Sequence, residues 1–261
     1  MHISLTGTTA VICGSTQGIG KAIAESFAAA GANCILVARN KKSLDEVIAV
    51  LSVNEDQKHQ AIVADFSDIN QVKSAIAEIL AIGDVHILVN NSGGPKPGPI
   101  IEVDPSDFAK AFEQHVVCNQ LLAQAFLPAM KRLQYGRIIN IISTSVRIPL
   151  ANLGASNTIR AAVASWAKTL SNEVGSFNVT VNNILPGLTE TARLSSLIDN
   201  MAKNSGTTKE QVKENLKKEI PMKRFGEPAE LAALATFLAS PAASYITGTS
   251  IPVDGGRTGT V

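Results

Sequence analysis

The feature that most constrains the fold is a glycine-rich turn near the start of the chain, placed between an apolar run and a helix rich in small residues. The run Ala10–Cys13 has apolar residues on both faces, as buried parallel strands do. The turn that follows reads Gly14-Ser15-Thr16-Gln17-Gly18-Ile19-Gly20.

Each glycine of this turn has a physical reason. Gly14 permits the tight turn, Gly18 lets the backbone approach a phosphate, and Gly20 lets the helix pack close to the strand. The following helix points its free N–H groups and its positive dipole end at the turn, which suits a pyrophosphate. The motif predicts dinucleotide binding; the alternative is a strand-to-helix turn without a ligand.

Composition narrows the class of protein. The chain has 261 residues and a net charge of +1 without long charge runs, so we expect neither nucleic acid nor an anionic membrane surface as a partner. Three scattered cysteines, Cys13, Cys34 and Cys118, lack metal-ligand spacing, and we expect buried reduced thiols, no metal and a cytoplasmic protein. The start resembles no signal peptide, and no apolar run is long enough to span a bilayer.

Apolar runs rich in β-branched residues alternate with helical patterns along the chain. This alternation predicts one α/β domain of the Rossmann-like, doubly wound type, with a seven-stranded, mainly parallel sheet and helices on both faces. Strands are predicted at Thr9–Cys13, Cys34–Ala38, Gln60–Ala64, His86–Asn90, Arg137–Ile142, Val179–Ile184 and Thr249–Val253. Helices are predicted at about Gly18–Ala30, Lys41–Val53, Ile69–Ala81, Pro105–Leu133, Ser156–Gly175 and Pro228–Leu238.

The spacing of the turn, Gly-x-x-x-Gly-x-Gly, resembles the short-chain dehydrogenase/reductase family, and in particular its 3-oxoacyl-[acyl-carrier-protein] reductase-like members. Further motifs agree in order along nearly the whole chain: Asn90-Asn91-Ser92-Gly93-Gly94, Pro186-Gly187, Arg224-Phe225-Gly226-Glu227-Pro228, and Thr247-Gly248 with Val253-Asp254-Gly255-Gly256. The resemblance implies an oxidoreductase that uses a nicotinamide cofactor and acts on a small carbonyl or alcohol substrate.

The residue after the second strand predicts which cofactor binds. Ala38 stands where NAD-specific folds place an acid for the ribose hydroxyls, and Arg39 follows it. An acid would repel a 2′-phosphate, whereas a guanidinium can pair with it. We therefore expect NADP(H); the alternative is an ordinary surface arginine.

The resemblance implies further cofactor contacts. Asp65, followed by Phe66, stands at the family's adenine-contacting acid, although it could simply cap the next helix. Asn91, Ser92 and Gly93 correspond to the turn that lies against the cofactor, with serine in place of the usual alanine. The loop at the nicotinamide carboxamide corresponds to Pro186, Gly187, Thr189 and Thr191.

The implied catalytic residues depart from the family. Its tyrosine, the lysine four residues later and a helix asparagine are replaced here by Ser156, Arg160 and His115, whereas Ser143 keeps the serine position. Arg160 can still bind the ribose, but it cannot relay protons. Because a serine hydroxyl is a weak acid, Ser156 needs a bridging water to donate a proton. We hypothesise that Ser143 and Ser156 hold the carbonyl and that His115 supplies the proton through water.

Alternatives remain at both replaced positions. His115 could make only a structural hydrogen bond, and Ser156 could be only a helix N-cap. The whole chain could be a catalytically silent protein that binds NADPH as a sensor or a partner subunit.

Three regions bear on substrate and assembly. The polar segment at about 191–221 is either a solvated surface excursion or a mobile lid over a cleft. Lys96, Arg147 and Arg193 either surround the cleft, favouring an anionic or acyl-carrier-linked substrate, or are surface charges. Two long helices have more apolar surface than one sheet face can cover, which predicts a dimer or homotetramer unless they are buried in one subunit. The apolar residues are Val116, Leu121, Leu122, Phe126, Val163 and Trp166.

Overall fold

A computed structural model describes residues 3–54 and 56–260. Its centre is a single seven-stranded sheet in the order β3-β2-β1-β4-β5-β6-β7, and every neighbouring pair is parallel. The strands are β1 Thr9–Cys13, β2 Asn33–Ala38, β3 Gln60–Val63, β4 Ile87–Asn90, β5 Gly136–Ile141, β6 Val179–Pro186 and β7 Ser250–Val253. The predicted Rossmann-like fold is confirmed.

Helices cover both faces of the sheet, as β–α–β connections require. They are α1 Gly18–Ala29, α2 Lys41–Ile48, α3 Ile69–Ile82, α4 Pro105–Phe112, α5 Cys118–Arg132, α6 Gly154–Val174, α7 Ala192–Ser205, α8 Lys209–Lys218 and α9 Pro228–Ala239. One apolar core joins α1, α2 and α9 to the sheet, and a second joins α3, α5 and α6 to the opposite face. The three cysteines are buried free thiols.

Two predicted helices differ from those observed. The helix expected over Lys41–Val53 ends at Ile48. The helix expected over Pro105–Leu133 is interrupted by a π-helical turn, Glu113–Val117, between α4 and α5. None of the helices in the described part of the chain is both long and apolar enough to cross a membrane.

Strand order reverses between β1 and β4, so the connections after these strands leave towards opposite sides of the sheet. Open parallel sheets bind ligands in the crevice at the carboxyl ends of such strands. The glycine-rich turn after β1 and the Asn90–Gly94 turn after β4 meet there.

Candidate active site

The glycine-rich turn has the conformation that its sequence requires. Gly14 and Gly18 have φ angles of +60° and +54°, in the left-handed region that favours glycine. A Cβ on Gly20 would lie 2.2 Å from the carbonyl oxygen of Gly14 and 2.6 Å from Nδ2 of Asn91. Any side chain at Gly20 would therefore separate α1 from the turn.

The N-terminus of α1 is open to a ligand. Its N-cap, Gln17, makes no capping hydrogen bond with its side chain. The hydroxyl of Ser15 is buried and has no hydrogen-bond partner among the residues that the structure describes. Uncapped N–H groups and a positive dipole end are the features that a phosphate satisfies, so this turn fits a pyrophosphate.

A smaller cleft of about 340 Å³ extends from this turn across the ends of β2 and β3. It contains many of the predicted cofactor residues. Lining residues include Gly14, Thr16, Gln17, Gly18, Ile19, Arg39, Asp65, Phe66, Asn91, Ser92, Gly93 and Thr191.

Asp65 is part of this cleft and does not cap a helix. Its Oδ1 accepts hydrogen bonds from the backbone N–H of Ser67, at 2.9 Å, and from the Ser67 hydroxyl, at 2.8 Å. These bonds, with a weaker contribution from the charge of Arg39, lower the pKa of Asp65. Asp68 caps α3 instead, by accepting from the N–H of Asn70, so the alternative reading of Asp65 is wrong.

A larger cleft of about 500 Å³ adjoins the first, and Ile19, Asn91, Ser92, Thr191 and Arg193 line both. The larger cleft brings together several predicted residues from β5, α6 and the loop after β6. They are Ser143, Ser156, Arg160, Pro186, Gly187 and Thr189. His115 does not line either cleft.

Side-chain amides fix the strand ends beneath these clefts. Asn90 donates to Oδ1 of Asn140 at 2.8 Å, and Asn140 donates to Oδ1 of Asn183 at 2.9 Å. Asn183 in turn donates to the hydroxyl of Ser250 at 3.0 Å. These residues are paired in register, so the ladder ties β4, β5, β6 and β7 together.

The two serines of the larger cleft differ in their local bonding. The hydroxyl oxygen of Ser143 accepts from the N–H of Ser145 at 3.1 Å, which leaves its own hydrogen free to donate. Ser156 lies inside α6, whose N-cap is Leu153, so the interpretation of Ser156 as an N-cap is wrong.

Arg160 is 7% exposed and projects from α6 towards the end of β5 and the turn after β4. Its guanidinium donates to the carbonyl of Ile141 at 3.0 Å and to that of Ser92 at 3.3 Å. Burial and, to a lesser extent, the charge of Arg193 lower the pKa of Arg160 to about 10, so it is still cationic at neutral pH. No ion pair between Arg160 and a carboxylate occurs within residues 3–54 and 56–260.

His115 lies in the π-helical turn and is 2% exposed. Its Nδ1 is 2.8 Å from the hydroxyl of Ser92, and its Nε2 has no partner in the part of the chain that the structure describes. Burial first, and then the charges of Arg160 and Arg193, lower the pKa of His115 to about 3. The imidazole is neutral at pH 7, which argues against the hypothesis that it supplies the proton.

Sequence reasoning missed the bond between Ser92 and His115. The exchange of the family's alanine for Ser92 was the available signal, but nothing in the sequence indicated its partner. Of the three basic residues considered, Lys96 and Arg193 line the larger cleft. Arg147 instead donates to the backbone carbonyl of Ser250 at 3.2 Å and is not among the lining residues.

Comparison with known proteins finds similarity over nearly the whole chain. A family model described as "Enoyl-(Acyl carrier protein) reductase" matches residues 14–258. The NADPH-dependent reductase BacG of Bacillus subtilis (strain 168) is 33% identical over 250 residues, covering 95% of this chain and 96% of that protein. The 3-oxoacyl-[acyl-carrier-protein] reductase FabG of Aquifex aeolicus (strain VF5) is 32% identical over 259 residues, covering 98% and 99%.

A solved structure shows the same architecture. The L-sorbose reductase of Gluconobacter frateurii, complexed with NADPH and L-sorbose, superposes with a TM-score of 0.93 at 33% identity. The match covers 100% of both chains.

Proposed function

Because the chain belongs to the short-chain dehydrogenase/reductase family, we propose that it is an oxidoreductase that reduces a carbonyl group, or oxidises the corresponding alcohol, with NADP(H). The observation that carries this proposal is the junction of the two clefts. A nucleotide seated on the glycine-rich turn would extend past Asn91, Ser92 and Thr191 into the cleft that contains Ser143, Ser156 and Arg160.

Residues around the smaller cleft would hold the cofactor. The turn Gly14–Gly20 would bind the pyrophosphate, Arg39 the 2′-phosphate, and Asp65 with Phe66 the adenine. The nicotinamide end would lie towards the larger cleft, where the bound cofactor supplies or accepts a hydride. Residues proposed to contact that end are Asn91, Ser92, Gly93, Arg160, Pro186, Gly187, Thr189 and Thr191.

The larger cleft offers hydrogen-bond donors and a fixed charge in place of a phenolic acid. The free hydroxyl hydrogens of Ser143 and Ser156 would hold the carbonyl oxygen. The buried charge of Arg160 would stabilise the negative charge that develops on that oxygen, because such interactions are strong away from water. Water entering the open cleft would then supply the proton.

We assign His115 a positioning role. A neutral imidazole has one N–H, and a buried N–H without a partner is rarer than a buried acceptor without one. The hydrogen is therefore placed on Nδ1, which donates to the hydroxyl oxygen of Ser92. This bond holds the Asn90–Gly94 turn in place and leaves the Ser92 hydroxyl hydrogen available to the clefts that Ser92 lines.

The segment at 191–221 is proposed to act as a lid. Helices α7 and α8 share a small apolar cluster with Ile220 and Phe225, separate from the two sheet cores. Leu194, Leu197 and Asn200 of α7 line the larger cleft. A unit with its own small core can move over the cleft with little disturbance of the sheet.

Two measurements test the proposed function. Calorimetric titration is expected to show tighter binding of NADPH than of NADH, and a panel of ketones is expected to include one that drives NADPH consumption. Arg160→Met is expected to lower kcat by at least about 100-fold, the scale of removing one preorganised donor or charge. Arg132→Gln is the control, because Arg132 pairs with Asp84 outside both clefts.

Other outcomes would contradict the proposal. Failure to bind either nucleotide would exclude the cofactor site. Tight binding without turnover of any ketone or alcohol would identify the silent sensor or partner subunit instead.

A further inference from the structure

The larger cleft carries more positive charge than a neutral carbonyl substrate requires. Besides Arg160, its lining includes Lys96, Arg193 and Arg257. No Asp or Glu is among the lining residues that the structure describes. Arg257 is offset by Glu219, whose Oε2 accepts from its guanidinium at 2.6 Å. Lys96 and Arg193 have no such carboxylate partner in the described chain.

Arg193 occupies a specific place at the junction of the clefts. A Cβ on Gly94 would lie 2.6 Å from Nη1 and 2.8 Å from Nη2 of Arg193, so the guanidinium rests directly on the glycine backbone. Any side chain at Gly94 would push it away. The turn after β4 thus makes room for this guanidinium beside the cleft.

The position of Arg193 is locally unfavourable without a ligand. It lies in the first turn of α7, whose N-cap is Thr191. Positive side chains at a helix N-terminus oppose the helix dipole, and acids are favoured there. The charge of Arg193 also lowers the pKa of Arg160, because two nearby cations repel each other. An anion between these groups would relieve both repulsions.

We propose that the substrate of this cleft carries a negatively charged oxygen group, a carboxylate or a phosphate, which is bound by Arg193 and Lys96. A planar guanidinium can bind either group through two parallel hydrogen bonds, and Lys96 at the rim adds a mobile point charge. Cations focused in a concave site also raise the local concentration of anionic substrates. The inference rests on the proposed function, since the same molecule must place its carbonyl at Ser143 and Ser156.

The cofactor phosphates are the competing occupant. Arg193 also lines the smaller cleft, whereas Lys96 lines only the larger one. The cofactor pyrophosphate is already assigned to a different binding site, the N-terminus of α1. Arg193 therefore binds either the substrate anion or a cofactor phosphate. Measuring the affinities of nucleotide and of substrate analogue on the same variants distinguishes these two assignments.

The experiment uses matched ketones that differ in charge. The full chain, saturated with NADP⁺, is titrated by calorimetry with acetoacetate, levulinate and 2-oxobutanoate, each against its methyl ester, and with hydroxyacetone phosphate against hydroxyacetone. We expect at least one anion to bind about tenfold or more tightly than its neutral counterpart, the effect of one charge-assisted contact. Which pair responds distinguishes carboxylate from phosphate.

Variants locate the site. Arg193→Gln, Lys96→Met and Gly94→Ala are each expected to reduce the preference for the anion by about tenfold, whereas Arg132→Gln leaves it unchanged. Gly94→Ala removes no charge and acts only by displacing the guanidinium. The affinity of Arg193→Gln for NADPH is expected to stay within about threefold of the parent protein.

Three results would overturn the inference. Esters could bind as tightly as carboxylates, no tested anion could bind, or Arg193→Gln could weaken NADPH as much as the anion. Binding of an anion with no turnover of any ketone or alcohol would instead contradict the proposed oxidoreductase function and leave the anion site standing.

Discussion

Ser92, His115 and Arg160, which we propose stand in place of the family's alanine, asparagine and lysine, are connected by hydrogen bonds in this chain. Arg160 donates to the carbonyl of Ser92, and the hydroxyl of Ser92 bonds to Nδ1 of His115. The three residues thus form one hydrogen-bonded unit that holds the turn after β4.

We propose that Arg39, which lines the smaller cleft, sets the preference for a cofactor that carries a 2′-phosphate. Arg39→Ala is expected to weaken NADPH binding by about tenfold to 100-fold, because one bidentate guanidinium–phosphate contact is lost. NADH binding is expected to change by less than about threefold. Calorimetric titration measures both, with Lys42→Ala as an exposed control outside the cleft. Equal loss for the two nucleotides would show that Arg39 does not contact the 2′-phosphate.

His115 makes stability depend on pH. The pKa of His115 is about 3 in the folded state, which is below its pKa in the unfolded state. At pH values between these two pKa values, the unfolded state therefore binds more protons than the folded state. The contribution of His115 to the free energy of unfolding is therefore fully present above about pH 6.5. Below that pH the free energy of unfolding falls by up to about 1.4 kcal/mol per pH unit. Urea denaturation at pH 7 and pH 5 is expected to show a larger loss for the parent protein than for His115→Asn. Equal losses would mean that His115 is not buried in its neutral form.

The residues of the site were only partly predictable from sequence. Arg160 and Ser156 fall at fixed offsets within one helix, and helical spacing places such residues on one face. The protonation state of His115 depends on burial and on two arginines from distant segments. Spacing along the chain contains neither quantity, so the low pKa of His115 could not be predicted from the sequence.

At the scale of elements, strands were the most predictable because a buried parallel strand is a continuous apolar run. The interrupted helix was not. The apolar residues over Pro105–Leu133 have helical spacing throughout. The π-helical turn Glu113–Val117 instead depends on a local change of backbone hydrogen bonding to the i→i+5 pattern, which apolar spacing does not indicate. That turn directs His115 inwards to Ser92, in keeping with the frequent occurrence of π-bulges at functional sites.

The turn between β1 and α1 gives a sharp element-level test. Gly20→Ala places a Cβ 2.2 Å from the carbonyl oxygen of Gly14, so α1 must shift. We expect a loss of about 1–3 kcal/mol in the free energy of unfolding, as for other overpacked sites, together with weakened NADPH binding. Gly175→Ala is the matched control, because its Cβ would meet no atom within 4 Å. Parent-like stability and affinity of Gly20→Ala would exclude this packing role.

At the scale of the whole molecule, the apolar residues from which self-association is predicted are only partly buried, since Val116, Leu121 and Trp166 keep some exposure. Leu122, Phe126 and Val163 are buried within a single chain, so these three residues are not available to a subunit interface. Further exposed apolar side chains lie just before α4 and at its last residue. They are Ile100, Ile101, which is 91% exposed, and Phe112, which is 45% exposed. We propose that this surface joins subunits in a dimer or tetramer.

Light scattering after size-exclusion chromatography tests this assembly. The parent protein is expected to have a mass of two or four chains, and Phe112→Glu is expected to reduce it, because a buried unpaired carboxylate disfavours the interface. Val50→Glu is the control, since Val50 is also exposed, at 63%, but lies after α2. A monomeric parent protein would remove the proposed assembly.

Carbonyl reduction in this cleft is proposed to depend on the fixed charge of Arg160 and on two serine hydroxyls in place of a titrating acid. The most direct measurement is the pH dependence of kcat for NADPH consumption with the best ketone found. Since the pKa values of His115 and Arg160 are about 3 and about 10, we predict a constant kcat from about pH 5 to pH 9 and a decline above that range as Arg160 loses its charge. A kcat that titrates with a pKa between about 6 and 8, or no turnover at any pH, would contradict the claim.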